Sequence, residues 1–313
     1  MTAGREQLPH LILLSAADWE DYELLDSGRG AKLERYGPYR VIRPEAQAMW
    51  QAASPEREWN SAHLVFHGDE DAAERGWEIK KAVEPRWKMR YKHLTFWSQP
   101  TPFRHLGVFP EQADHWDWIG DRIRSVKREV RVLNLFGYTG IATLAAAAAG
   151  AAVTHVDASK KAVAWARDNQ ALSGLSGKPI RWIVDDALKF VQREERRGAV
   201  YDGFILDPPK FGRGPKGELW KLEESLPTLL HHLKGIRSSA PLFVVLTVYA
   251  LRISATAISS ALRDWAGGGT ITAGETVLVD RSAQHTLSTS VFARWAADKP
   301  VEKTQSQSDI MIS

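Results

Sequence analysis

Between Val130 and Trp295 short apolar segments alternate with longer helix-forming ones, and this rhythm constrains the fold more than any other feature of the chain. Strands are expected at Val130–Phe136, Val153–Asp157, Ile180–Val184, Phe204–Asp207 and Leu242–Val248. Helices are expected at Thr139–Ala149, Lys160–Leu172, Ala187–Arg197, Glu218–Leu233 and Ile253–Trp265. The first of these is Ala-rich, and Ala has the strongest helix propensity. Such alternation predicts an α/β fold, a parallel sheet with helices on both faces. Two further strands, Thr276–Val279 and Thr289–Trp295, with no helix between them, are expected to close the domain.

The first hundred residues have a different pattern. Short strands are expected at His10–Ser15, Tyr22–Leu25, Tyr39–Ile42, Ala62–Phe66, Trp77–Val83 and His93–Trp97. Asp26 to Gly30 and Tyr36 to Pro38 read as turns. A helix is expected at Asp114–Lys127. These patterns divide the chain into a small antiparallel β region over 1–105 for substrate recognition, a catalytic domain over 106–296, and a polar tail over 297–313 expected to be disordered.

Composition removes several classes of chemistry. The chain has no cysteine, which excludes disulfides, zinc thiolate sites and thiol nucleophiles. His63, His67, His93, His105 and His115 show no metal-ligand spacing, so no metal is expected. No apolar run approaches the roughly 18–20 residues of a membrane span, and no signal peptide is evident, so a cytoplasmic protein is expected. The net charge of +3 is small, but between Ile79 and His105 seven cations face Glu84 alone. Trp87, Tyr91, Phe96, Trp97 and Phe103 are interleaved with them. Phosphate-neutralising cations mixed with aromatic faces suit RNA. A solvated strand face with core aromatics is the other reading.

Ligands of doubly wound sheets bind at the carboxyl ends of the strands, and the polar residues of this chain cluster there. The first strand is followed by Asn134-Leu135-Phe136-Gly137-Tyr138-Thr139-Gly140, where Gly137 and Gly140 permit a sharp turn and a close backbone approach. The next helix N-terminus then offers free N–H groups to a carboxylate. The G-x-G-x-x-G spacing of a dinucleotide site is absent. Asp157, followed by Ala158 and Ser159, is placed to accept from two ribose hydroxyls or to cap the next helix. Asp186, followed by Ala187, can accept from an adenine amino group, cap its helix, or do both. The most specific run is Asp207-Pro208-Pro209-Lys210-Phe211. Its prolines fix φ and remove two donors, aiming the carboxylate and the carbonyls in set directions, with an aromatic nearby to stack on a base. The following Gly212-Arg213-Gly214-Pro215-Lys216-Gly217 reads as a flexible basic loop able to close over phosphates, or as a plain surface loop.

These motifs resemble the bacterial large-subunit ribosomal RNA methyltransferases that carry a DPPK motif and modify cytosine carbon 5 or, more distantly, guanine nitrogen 7. The resemblance lies in Leu133-Asn134, Phe136, Tyr138-Thr139-Gly140, Gly150-Ala151, Val156-Asp157, Ser159, Asn169, Asp186-Ala187, Asp207 to Phe211 and the upstream Gly107 to Gln112. It implies a Rossmann-like, seven-stranded class I methyltransferase sheet that uses S-adenosylmethionine. Gln112, Asn134, Phe136 to Gly140, Asp157 to Ser159, Asp186, Ala187 and Asp207 would hold the cofactor, and Asp207 to Phe211 would hold the substrate. One departure bears on the chemistry. Carbon-5 methylation of cytosine needs a nucleophile, which those enzymes supply as a cysteine after the fifth strand, and here that strand ends Leu246-Thr247-Val248-Tyr249. Methylation of a base nitrogen in RNA, ribosomal RNA first, is therefore expected. A methyltransferase for proteins or small molecules and a non-catalytic RNA-binding factor remain as alternatives.

Overall fold

The computed structural model describes residues 11–16, 19–68, 76–249, 253–266 and 268–298. In chain order its N-terminal elements are β1 (Leu11–Ser15), β2 (Tyr22–Gly28), β3 (Ala31–Tyr36), β4 (Tyr39–Pro44), α1 (Glu56–Trp59), β5 (Leu64–His67), β6 (Gly76–Ile79), β7 (Trp87–Tyr91) and β8 (Leu94–Ser98). A 3₁₀ turn at Pro110–Gln112 leads into α2 (Ala113–Arg124), β9 (Arg131–Leu135), α3 (Ile141–Ala148), β10 (Ala152–Asp157), α4 (Lys160–Leu172), β11 (Ile180–Val184), α5 (Ala187–Arg196) and β12 (Gly203–Leu206). Then come β13 (Phe211–Arg213), β14 (Leu219–Lys221), α6 (Leu222–Gly235), β15 (Phe243–Val248), α7 (Ala255–Ala266), β16 (Thr270–Val279) and β17 (Thr286–Ala296). The tail expected to be disordered lies outside the described residues from 299 onward.

The large sheet runs β1-β16-β17-β15-β12-β9-β10-β11. Strands β11, β10, β9, β12 and β15 are mutually parallel, and β17 is antiparallel to both its neighbours. All six residues of β15 and all four of β12 are buried, as expected where helices cover both faces of a parallel sheet. The chain leaves β9 towards β10 and β11, then returns to place β12 on the other side of β9. A crevice therefore opens at the carboxyl ends of β9 and β12, where the strand order reverses.

The seven expected strands are joined by an eighth. β1 pairs parallel with β16, from Leu11 opposite Ala273 to Ser15 opposite Val277, and does not join the N-terminal strands. Gly274 permits this approach, since a Cβ there would collide with the Ile12 carbonyl. The N-terminal sheet, β2-β3-β4-β5-β6, is antiparallel except for the β4–β5 pair. Asp26 and Ser27, expected in a turn, belong to β2 and are fully buried. Asp26 accepts from Ser54 N–H and Trp59 Nε1, and Ser27 Oγ donates to Asp280 Oδ2 at 2.6 Å, tying this sheet to the end of β16. Strand β3 was hidden by its charges. Glu34 points inward and forms two 2.7 Å bonds with the Arg43 guanidinium, while Tyr22 donates to it at 2.9 Å. One apolar cluster continues from Tyr36 and Phe96 through Trp116 to Ile141 and Leu287, so the N-terminal strands share a core with the large sheet.

The basic–aromatic stretch is largely the β7–β8 hairpin. Trp87, Met89 and Tyr91 are buried, whereas Lys88 and Arg90 point outward, as the two-residue period of a strand requires. Acids meet several of its cations: Arg86 lies 3.0 Å from Asp168, Lys92 2.6 Å from Asp117, and Arg90 3.8 Å from Asp21. The local positive charge is thus much smaller in three dimensions than along the sequence.

Candidate active site

The loop after β9 is held in an unusual conformation. Phe136, Tyr138 and Gly140 have φ of 58°, 48° and 84°. Left-handed backbone costs a residue with a side chain about 1–2 kcal/mol, so the loop needs external support. Asp157, at the end of β10, supplies it. One carboxylate oxygen accepts from Tyr138 N–H at 2.8 Å and the other from Ser159 N–H at 2.8 Å. Burial pushes this carboxyl above its usual range, and those two backbone bonds oppose the shift. The glycines serve packing within the protein. A Cβ at Gly137 would run into the His155 ring, and one at Gly140 would lie 2.8 Å from the Ala166 methyl. Thr139 Oγ1 donates to the Gly107 carbonyl at 2.6 Å, locking the segment before α2 onto the loop. Asn134 donates to Thr143, which bonds the buried, neutral His155.

Across the crevice, β12 delivers Asp207. Its Oδ1 is buried with no hydrogen-bond partner among the described residues, and its Oδ2 has only Gln112 Nε2 at 3.5 Å. Burial, and then the charge of Glu111, push this carboxyl up to about 8. Gln112 also donates to Tyr249 Oη at 2.9 Å. Burial raises Glu111 too, with Lys32 and Arg43 opposing that shift. Asp207, Glu111, Gln112 and Tyr249 thus form one polar cluster, with Glu111 and Gln112 buried and Asp207 and Tyr249 half-buried, drawn from the ends of β12 and β15 and from the 3₁₀ turn.

A cleft of about 490 Å³, counted to its open mouth, brings together Gln112, Asn134, Phe136, Gly137, Tyr138, Thr139 and Asp207 of the expected site. Val108, Phe109, Trp116 and Thr247 line it as well. Thr247 and Tyr249 follow the strand-end rule, so the rule itself could have found them. Glu111 carried no such signal, because its burial depends on distant elements. Gly140 and Asp157 stand behind the lining, supporting the loop.

Other expected residues lie elsewhere. Asp186 caps α5, accepting from Lys189 N–H at 2.9 Å, and Ala187 is buried in the first turn. Ser159 caps α4, accepting from Ala162 N–H, and Ala158 bridges β10 to that cap. Asp186 lines a neighbouring groove with Lys189, Gln192 and Trp220. The rings of Phe136 and Trp220, 4.8 Å apart, stand between groove and cleft. The Pro209 carbonyl is occupied by Trp220 Nε1 at 2.8 Å. Pro208 is buried, Lys210 is exposed, and Phe211 is 61% exposed outside the cleft. Of the loop expected to be flexible, Gly212 and Arg213 belong to β13 and Gly214 to Gly217 to the turn of the β13–β14 hairpin.

Known proteins resemble this chain in sequence and fold. The family described as S-adenosylmethionine-dependent methyltransferase matches residues 36–230, more than half of the chain. The chain belongs to the S-adenosylmethionine-dependent methyltransferases. Among solved structures it is similar to the S-adenosylmethionine-dependent methyltransferase from Agrobacterium tumefaciens, at 46% identity, covering 92% of this chain and 94% of that one, with a TM-score of 0.88. A putative methyltransferase from Streptococcus mutans, 16% identical over 88% of this chain and 75% of its own, shares the fold at a TM-score of 0.67. Among curated proteins, ribosomal RNA large subunit methyltransferase K/L of Shewanella baltica is 43% identical over 89 residues, and that of Shewanella sp. strain ANA-3 is 43% identical over 90. These stretches are 28% of this chain and only 12% and 13% of those relatives. The cofactor of this methyltransferase is S-adenosylmethionine, and its fold is that of the class I enzymes.

Proposed function

We propose that this methyltransferase methylates a nitrogen of an RNA base, in ribosomal RNA first, without a covalent intermediate. The observation that carries the reading is the unpartnered, buried Asp207 Oδ1 beside the cleft, in a chain without cysteine. A buried acceptor without a donor is costly, and an N–H of the target base would satisfy it. S-adenosylmethionine, when bound, supplies an activated methyl group on a sulfonium. The residues present fit that group. Each Asp157 oxygen spends one lone pair on a backbone N–H, of Tyr138 or of Ser159, and keeps another for a ribose hydroxyl. The N–H groups at the start of α3 face a carboxylate favourably, and Phe136 and Tyr138 offer ring faces. Asp207, with the Pro208 carbonyl, orients the target nitrogen and takes the proton released as the new carbon–nitrogen bond forms. Holding the nitrogen in line is the main contribution to rate.

An RNA substrate supports a cytoplasmic location for the reaction. No described helix is long and apolar enough to cross a membrane. Mass spectrometry of ribosomal and transfer RNA from a deletion strain tests the reading. Loss of one methylated base is expected, and unchanged profiles in both RNAs refute it. The acids that pair with Arg86, Arg90 and Lys92 favour a second reading, a protein or small-molecule substrate. Activity insensitive to salt would select that reading, since phosphate contacts make binding salt-dependent.

A further inference from the structure

The β13–β14 hairpin leaves directly from the Asp207-Pro208-Pro209 segment and returns into α6. It is firmly seated. Trp220, 3% exposed, packs on Phe136 and donates to the Pro209 carbonyl. Glu218 bonds Lys189 Nζ at 2.8 Å and accepts from Lys216 N–H at 2.8 Å. The sole acid of the hairpin is thereby committed to holding it against α5.

The outward side has a different character. Phe211 and Leu219 are 61% and 62% exposed. Lys210, Arg213 and Lys216 have no acid partner among the described residues, and only Lys221 is paired, with Glu224 at 3.0 Å. This contrasts with the β7–β8 hairpin, whose cations largely face acids. Phe211 is four residues from Asp207, so its backbone is at most ~14 Å from the backbone of Asp207, whose carboxylate faces the target. That is the reach of nucleotides flanking a base placed in the cleft.

We infer that the β13–β14 hairpin is the docking element for single-stranded RNA next to the target nucleotide, with Arg213 and Lys216 on phosphates and Phe211 stacked on a neighbouring base. The inference deepens the RNA reading above and depends on it. Exposed cations without acids at the cleft mouth complement a phosphate backbone. An exposed ring on a rigid strand gives a base a face to stack on whatever its identity. The hairpin is pinned at Trp220, so it presents these groups ready-placed and does not act as a closing lid.

The test uses the full-length protein and a fluorescein-labelled single-stranded RNA, with affinity measured by anisotropy across a salt series. Wild-type affinity should fall with salt. The Arg213→Ala/Lys216→Ala double variant should flatten the log–log slope by about 1.4, the share of two phosphate contacts on a single strand. Phe211→Ala should weaken binding roughly ten- to a hundredfold with the slope unchanged. Calorimetric affinity of the double variant for S-adenosylmethionine should match wild type, showing an intact fold. If wild type binds with a steep salt dependence and both variants match it, the hairpin assignment fails and the RNA reading stands. If wild type shows no salt-dependent RNA binding, the RNA reading fails and the hairpin assignment falls with it.

Discussion

The proton affinity of Asp207 makes the site testable without a known substrate sequence. Its carboxyl is pushed up to about 8, by burial first and then by Glu111. The groups facing it are Glu111 and Gln112 from the 3₁₀ turn and Tyr249 from the end of β15. A group with that value is ionised in roughly one molecule in ten at pH 7 and nine in ten at pH 9. If the carboxylate must receive the target N–H, kcat/KM should climb about tenfold over that interval, since kcat/KM reports the free enzyme. Glu111→Gln removes the negative charge that helps raise Asp207, so its profile should move to lower pH and its activity at pH 7 should increase. The same group affects stability with a definite sign. The folded state keeps a proton that the unfolded chain loses near its ordinary value of 3.8, so stability falls as pH rises from about 4 to about 8. At pH 7 this spans roughly 3 pH units at 1.36 kcal/mol each, a ceiling of about 4 kcal/mol. Asp207→Asn escapes this cost, so it should melt higher than wild type at pH 7 while losing turnover. A flat kcat/KM between pH 6.5 and 9, or a Glu111→Gln midpoint at or above that of wild type, would refute the reasoning.

Other perturbations probe the supports of the site. Asp157→Ala removes charge-assisted hydrogen bonds worth about 1.5–3 kcal/mol. It should weaken S-adenosylmethionine binding roughly ten- to a hundredfold by calorimetry and lower the melting temperature, because the Tyr138 and Ser159 N–H groups lose their acceptor; unchanged affinity would remove Asp157 from the cofactor site. Gly137→Ala forces a methyl against the His155 ring and should cost about 1–3 kcal/mol in denaturant unfolding, with partial recovery when His155→Ala is added. Arg43→Met leaves Glu34 buried without its guanidinium and should cost about 3–5 kcal/mol; a neutral outcome in urea titration would show that Tyr22 and Tyr36 satisfy the carboxylate alone.

Where function was concerned, the strand-end residues were readable because their positions follow from local order. An apolar run that ends in a polar residue places that residue at the sheet's carboxyl edge, whatever the rest of the chain does. Asp157 and Asp207 were found that way. Their chemical environments were not readable. The bond that Asp157 makes to the loop depends on a left-handed Tyr138, and the orphaned oxygen of Asp207 depends on the burial of that oxygen beside Glu111 and Tyr249. Phe211, expected over the substrate, faces outward because Trp220 takes the inner position of the same hairpin.

What the sequence by itself determined is what short-range periodicity and capping encode. These are the helix–strand alternation from Val130 onward, the cap at Asp186, and the rigid turn at Pro208-Pro209. What only the tertiary structure decided depends on partners far along the chain. β1 seats against β16 over Gly274, Glu34 makes a strand interior habitable through Arg43, and acids on other elements neutralise the β7–β8 cations. The physical reason is the same throughout. Periodicity is local, whereas the free energy of a buried charge or an edge strand is set by whichever group the fold brings within a few ångströms of it.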